Sequence, residues 1–144
     1  YSRTVKPELA AEGVEYVDLD TLLAQSDFVS LHVPMTPATA KMINAESIAK
    51  MKDGAVLINC ARGGVVDSEA LAEALNSGKL AAAGIDVFEN EPPLAVEHPL
   101  LQAKNVVVTP HVAFASKEAL ETRADIVFAN IDAFLAGKPQ NIVK

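Results

Sequence analysis

Short apolar runs, each closed by a polar turn and followed by a capped helical segment, recur along this chain and leave few folds open to it. Residues 28–33, 55–59, 80–87 and 106–109 each read as a strand. The run Ala55-Val56-Leu57-Ile58-Asn59 is almost wholly apolar, as expected of a strand with both faces covered by helices. Between the runs stand helical segments with recognisable ends. Pro7 and Gly13 bracket a short helix over 7–12. Asp20 is the expected cap of a second helix through Gln25. Asn44 caps a third to about Met51, and Asp53-Gly54 turns the chain back. Asp67 caps 68–77, which stops at Gly78. Ser116 caps a long helix to Ala136, with Gly137 and Pro139 as its stop signal. Its positions Leu120, Ala124, Val127, Ile131 and Phe134 step by three or four, predicting one buried face. Glu15-Tyr16-Val17 reads as a further brief strand, 90–101 as a loop with three prolines, and 137–144 as an extended tail leaving the domain.

Strands alternating with helices imply βαβ crossovers and a mostly parallel sheet, an α/β fold. Composition agrees. Half of the 144 residues are hydrophobic but only 5% aromatic, so the core is built of Ala, Val, Leu and Ile. A net charge of −7 leaves no basic stripe for nucleic acid. No apolar run approaches the roughly 18 residues of a membrane span. The single cysteine, Cys60, excludes an internal disulfide framework and fits a reducing compartment. No signal peptide is legible after Tyr1, so the expected location is cytoplasmic, although the chain does not begin with methionine.

In an open parallel sheet, ligands bind outside the carboxyl ends of the strands. Three motifs arrive there: Asn59-Cys60-Ala61-Arg62-Gly63-Gly64, Gly84-Ile85-Asp86-Val87-Phe88-Glu89-Asn90-Glu91-Pro92 and Thr109-Pro110-His111. They bring an arginine, a carboxylate and a histidine, the parts that hold an α-keto acid and move one proton. Each has a plainer reading. Arg62 in a glycine-rich turn can serve solubility, though the two glycines after it let backbone approach a ligand and a guanidinium binds carboxylate bidentately. His111 can be a cap or a core-edge residue; it can also titrate near neutrality and hand on a proton, worth roughly 10²–10⁴ in rate. Glu89, Glu91 and Glu97 share one loop, where most glutamates are only solvated. Asp86 can simply end a strand. Cys60 has no activating neighbour in sequence, and His32 and His98 read as structural or exposed.

These three motifs in this order resemble the D-isomer-specific 2-hydroxyacid dehydrogenases, most nearly the glyoxylate/hydroxypyruvate reductase and phosphoglycerate dehydrogenase branch. The resemblance runs the length of the chain. It implies a Rossmann-like doubly wound parallel sheet, incomplete here because no G-x-G-x-x-G can be assembled from the seven glycines. Residues 1–115 would be part of the dinucleotide-binding domain, and 116–144 the helix and tail returning to the substrate domain. The implied activity is NAD(P)H-dependent reduction of a small 2-keto acid to a D-2-hydroxy acid, with this chain inactive alone. By the same resemblance, Arg62 clamps the substrate carboxylate, His111 is the general acid, and Glu91 keeps His111 protonated.

Cys60, Ala61, Arg62, Asp86, His111 and Ala113 would line the nicotinamide, and Val33 and Pro34 the adenosine side. Ser2 stands where NAD-preferring members carry an aspartate for the ribose hydroxyls. With Arg3 and Thr4 after it, Ser2 suits the 2′-phosphate of NADP, so NADP is expected before NAD; a frayed terminus is the plainer alternative. Ala113 and Phe114 depart from the family's small residues after the histidine and put substrate size in question. A homodimer is implied, with no nucleic-acid, membrane or metal partner. The rival readings are a non-catalytic, cofactor-sensing binding protein on the same scaffold and a purely structural or oligomerising fragment. Formate oxidation is disfavoured, because that branch carries Gln at the position of Glu91.

Overall fold

The structure, a computed structural model, describes residues 1–143. The chain forms two compact units, Tyr1–Pro110 and His111–Lys144.

In the first unit the elements run α1 (Pro7–Ala10), α2 (Leu19–Gln25), β1 (Phe28–Leu31), α3 (Ala45–Lys50), β2 (Ala55–Asn59), a 3-10 turn (Gly63–Val65), α4 (Ser68–Ser77), β3 (Leu80–Ile85), α5 (Pro99–Gln102) and β4 (Val106–Val108). The four strands make one sheet in the order β1-β2-β3-β4, every pair parallel. Each parallel step needs a crossover, and α3, α4 and α5 supply them. Right-handed crossovers taken always in the same direction put all three helices on one face. Burial agrees: β1 alternates exposed and buried, while Val56 and Ile58 of β2 are only half-buried. The expectation that both faces of residues 55–59 are covered is therefore met on one face only. Four strands stepping one way form one side of a doubly wound sheet, the incomplete α/β arrangement that the sequence implies.

The core lies between that face and the helices. Leu23, Ile43, Leu57, Leu71, Leu75 and Leu80 are fully buried there, each such side chain contributing about 1.5–3 kcal/mol. Helix ends follow local chemistry. Asn44 accepts from the Glu46 and Ser47 amides, and the Ser47 hydroxyl accepts from the Asn44 amide, a complete capping box. Asp67 accepts from Ala70 N, and Gly78 ends α4 with φ 81°, which glycine adopts without a Cβ penalty.

Several expectations are corrected. The cap of α2 is Asp18, which accepts from Thr21 N and Thr21 Oγ1; Asp20 lies inside the first turn and pairs with Lys50. Residues 15–17 form no strand: an extended segment needs a ladder partner, and no described strand pairs with it. β1, β3 and β4 end earlier than expected because pairing ceases at Leu31, Ile85 and Val108. The loop over 90–101 gives way to α5, started by Pro99 with His98 as its cap.

The second unit is α6 (Lys117–Leu135), capped by Ser116, with its flanks. The predicted buried face is absent: no α6 residue is buried, and Leu120, Val127, Ile131 and Phe134 are exposed. Within its own unit this helix has only short flanking segments to pack against. The tail folds back rather than leaving extended, for Asn141 Nδ2 donates to Asn130 Oδ1 at 2.9 Å. Lys144 lies outside the described residues.

Candidate active site

The turn after β2 is built by Asn59. This side chain is 1% exposed, so both ends of its amide need partners. Its Oδ1 accepts from Ala61 N and its Nδ2 donates to the Arg62 carbonyl, each at 3.0 Å. The turn is thereby held from inside, with Cys60 exposed, Ala61 half-buried and Arg62 outward. Arg62 Nη1 donates to the Ala61 carbonyl at 2.7 Å, laying the guanidinium along its own turn. The segment leaves through the 3-10 turn and is fixed by Lys41 N donating to Gly64 O and Ile43 N donating to Val65 O.

Gly63 does something the sequence reading assigned to a ligand. A Cβ there would lie 2.0 Å from the Phe88 carbonyl carbon and 2.4 Å from Glu89 N. The close approach is therefore to the backbone of the loop after β3, and it seats the Arg62 turn against the loop that carries Glu91. A Cβ on Gly64 would meet only the flexible end of Met35.

At the end of β3, Asp86 is buried. Its Oδ1 accepts from Thr109 Oγ1 at 2.5 Å, and its amide donates to Asn59 O at 3.0 Å. Thr109 N also donates to Ile85 O, so the ends of β2, β3 and β4 are laced together beside this carboxylate. Glu91 Oε1 accepts from Phe88 N at 2.6 Å, which turns the glutamate back toward the strand end.

His111 opens the second unit, two residues beyond Thr109 along the chain. Its φ is +55°, a conformation uncommon for residues other than glycine and one that clusters at functional sites. Phe114 meets the imidazole edge-on at 6.4 Å, and Arg123 lies 5.7 Å over the Phe114 ring. Val112 and Ala113 between them are exposed.

The remaining expected cofactor residues are spread along the first unit. Ser2, Arg3 and Thr4 are exposed near its start. Val33 packs against the core after β1, and Pro34 is exposed with its carbonyl accepting from Thr39 Oγ1. Among the described residues no group of three or more His, Cys, Asp or Glu is placed to hold a metal ion. No described helix is long and apolar enough to cross a membrane.

Sequence reasoning missed Asn59, Thr109 and the linked side chains of Ser68, Glu89 and His98. Only Asn59 had a local signal, an amide at the start of a tight turn. Of its two readings His98 takes the structural one: it is half-buried, caps α5 and stands with Nε2 3.3 Å from Glu89 Oε2.

Residues 1–113 match the family model described as D-isomer specific 2-hydroxyacid dehydrogenase, NAD binding domain. The chain is 46% identical over 143 residues to a hydroxypyruvate reductase of Blautia hydrogenotrophica, covering 99% of this chain and 44% of that protein. It is 51% identical over 145 residues to a glyoxylate reductase of Thermococcus litoralis, covering 99% and 43%. Among solved structures, the D-lactate dehydrogenase of Aquifex aeolicus complexed with NAD and lactic acid superposes with a TM-score of 0.85 at 38% identity, over 96% of this chain and 46% of that one. The chain thus spans less than half the length of these relatives. Because that model matches more than half of the chain, residues 1–113, the chain belongs to the D-isomer specific 2-hydroxyacid dehydrogenase family, in its NAD binding domain.

Proposed function

We propose that this chain is the cofactor-binding portion of an NAD(P)H-dependent reductase that converts a small 2-keto acid, of glyoxylate or hydroxypyruvate size, to a D-2-hydroxy acid. The observation that carries the reading is the backbone contact of Gly63 with Phe88 and Glu89. It joins the turn bearing a guanidinium to the loop bearing a carboxylate at adjacent strand ends, where the fold class binds ligands.

The residues present fit the nicotinamide end of the cofactor. The ends of β2 and β3 offer a turn held from beneath by Asn59 and a carboxylate, Asp86, oriented by Thr109. When bound, the cofactor supplies a hydride to the keto carbon. This chain's own groups do the rest. Arg62 binds the substrate carboxylate, and its planar fork fixes the plane of the acid. In this reading His111 donates the proton that the keto oxygen takes up, with Glu91 as its carboxylate partner. Arg3, with Ser2 and Thr4, favours a 2′-phosphate and hence NADPH. A cytoplasmic homodimer belongs to the same reading.

The test is oxidation of NADPH by the full-length protein that carries this sequence, with glyoxylate or hydroxypyruvate as acceptor. Turnover is expected to fall at least about a hundredfold for Arg62→Ala and His111→Gln. The 144-residue polypeptide alone is expected to be inactive, since the glycine-rich pyrophosphate turn is absent from its sequence. Wild-type turnover in both variants would overturn the reading, and a protein that binds NADPH without reducing any keto acid would favour the sensing alternative.

A further inference from the structure

The loop that carries Glu91 is tied down by a network outside the three motif residues. Glu89 receives one contact on each oxygen. Ser68 Oγ, 8% exposed at the first turn of α4, donates to Glu89 Oε1 at 2.5 Å. His98 Nε2 stands 3.3 Å from Glu89 Oε2, with side-chain exposures of 14% for His98 and 30% for Glu89. The tautomer is fixed by the other ring nitrogen. His98 Nδ1 accepts from Leu100 N at 3.3 Å, so a neutral imidazole carries its proton on Nε2 and donates it to Glu89. The Phe88 ring packs edge-on to His98 at 5.2 Å and an interplanar angle of 87°.

Glu89 thereby bridges α4, which belongs to the sheet scaffold, and His98, the cap of α5 at the far end of the same loop. Both ends of the loop are closed by one carboxylate. Two contacts of the candidate site depend on the backbone this holds. Phe88 N donates to Glu91 Oε1 at 2.6 Å, and Phe88 with Glu89 is the backbone against which Gly63 rests.

We infer that Glu89, held between Ser68 and His98, is a positioning residue. Its carboxylate braces the loop after β3 so that Glu91 and the Arg62 turn keep their places together. The inference rests on the reading of Glu91 as the partner of His111.

The geometry distinguishes this role from one of charge alone. Glutamine at position 89 can turn its amide so that oxygen accepts from His98 Nε2 and nitrogen donates to Ser68 Oγ, keeping both links. Alanine keeps neither. In the full-length protein, Glu89→Ala is expected to lower kcat for the keto acid at least tenfold with KM for NADPH changed less than twofold. Glu89→Gln is expected to retain kcat within about threefold. Because the brace acts through Glu91, Glu89→Ala should add less than twofold to the loss already caused by Glu91→Ala.

Should Glu89→Ala not fold, Ser68→Ala in the same cycle with Glu91→Ala removes one arm of the brace and carries the same expectation. Additive losses, or a glutamine variant as poor as alanine, overturn the inference. Amide exchange of the full-length protein without substrate gives an independent reading. The Phe88 amide should lose at least tenfold of its protection in Glu89→Ala or Ser68→Ala, while β2 and β3 amides keep theirs; unchanged Phe88 protection overturns the brace. If the wild type turned over no keto acid, the functional reading would fail by itself, since the exchange measurement needs no substrate.

Discussion

Gly63 lies so close to Phe88 that a Cβ on the glycine would stand 2.0 Å from the Phe88 carbonyl carbon and 2.2 Å from its oxygen. No rotamer change relieves that clash, because both sides are backbone. Gly63→Ala must therefore push the Arg62 turn away from the loop of Glu91, at about 2–4 kcal/mol of stability. Gly64→Ala is the built-in control. Its Cβ would meet Met35 Cε at 2.9 Å, the far end of a flexible side chain that can move, so a cost below about 1 kcal/mol is expected. Urea unfolding of the two variants measures the contrast. Equal costs would mean that the two turns are not in contact.

Asn59 poses a different kind of constraint, a buried amide whose two ends hold the Ala61 amide and the Arg62 carbonyl. Asn59→Ala removes both bonds at a position that is 1% exposed, costing about 1–3 kcal/mol. Asn59→Asp keeps the acceptor for Ala61 N but sets a carboxylate oxygen against the Arg62 carbonyl. It should be at least as destabilising, and more damaging to keto-acid KM than to NADPH KM, because the distorted residue is Arg62. A KM for keto acid unchanged in both variants would show that Arg62 is placed by something other than this amide.

Asp67 is one carboxylate whose surroundings make stability depend on pH. Lys41 donates to its Oδ2 at 2.9 Å and Ala70 N to its Oδ1, and these two bonds hold the Asp67 carboxyl below its ordinary value. Lys41 is raised in turn by the hydrogen bond and charge of Asp67. The signs follow from linkage. A depressed carboxylate contributes stability above its unfolded pKa, lost as pH falls through the lower folded value. A raised lysine contributes below its unfolded pKa, lost as pH rises through the folded one. Lys41→Met should move the Asp67 titration upward yet leave it below the ordinary value, since Ala70 N–H remains. A carbon-13 titration of the Asp67 carboxyl checks this; an unmoved titration would show that Lys41 does not reach it in solution.

The parts legible in the sequence are those whose partners lie within one turn. Asn44, Asp67 and Ser116 each cap a helix by accepting from an amide two or three residues on, and all three were readable. Asp18 and Asp20 flank one leucine, either can cap by pattern, and only geometry selects Asp18. The segment 15–17 misled because a strand is defined by its neighbour, which periodicity does not supply. The α6 stripe misled as well, because burial needs a partner surface, and within its own unit the helix has only short flanking segments. At the site, the chemistry-bearing residues were legible as types at strand ends. The brace of Ser68, Glu89 and His98 was not: its links span 21 and 9 residues, and no local pattern announces contacts of that separation. The glycine pair was visible as a close approach, but whether ligand or backbone approaches is decided only when β3 is laid beside β2.

Cofactor choice is the sharpest remaining prediction, and it turns on an exposed tripeptide. Ser2, Arg3 and Thr4 present no carboxylate, so nothing there repels a 2′-phosphate, while Arg3 offers a planar fork of donors. A charge-assisted bond of about 1.5–3 kcal/mol corresponds to roughly 10- to 150-fold in affinity. Arg3→Ala in the full-length protein should therefore raise KM for NADPH at least tenfold and leave KM for NADH within about twofold. The exposed pair should also weaken as salt increases, so the NADPH preference of the wild type should shrink between low and high ionic strength and that of Arg3→Ala should not. Ser2→Asp supplies the opposite test, adding a negative charge that the phosphate must meet while giving the ribose hydroxyls an acceptor; NADH should become the better cofactor. If Arg3→Ala weakened both cofactors alike, the guanidinium would not be recognising the 2′-phosphate, and the NADP preference would lose its physical basis.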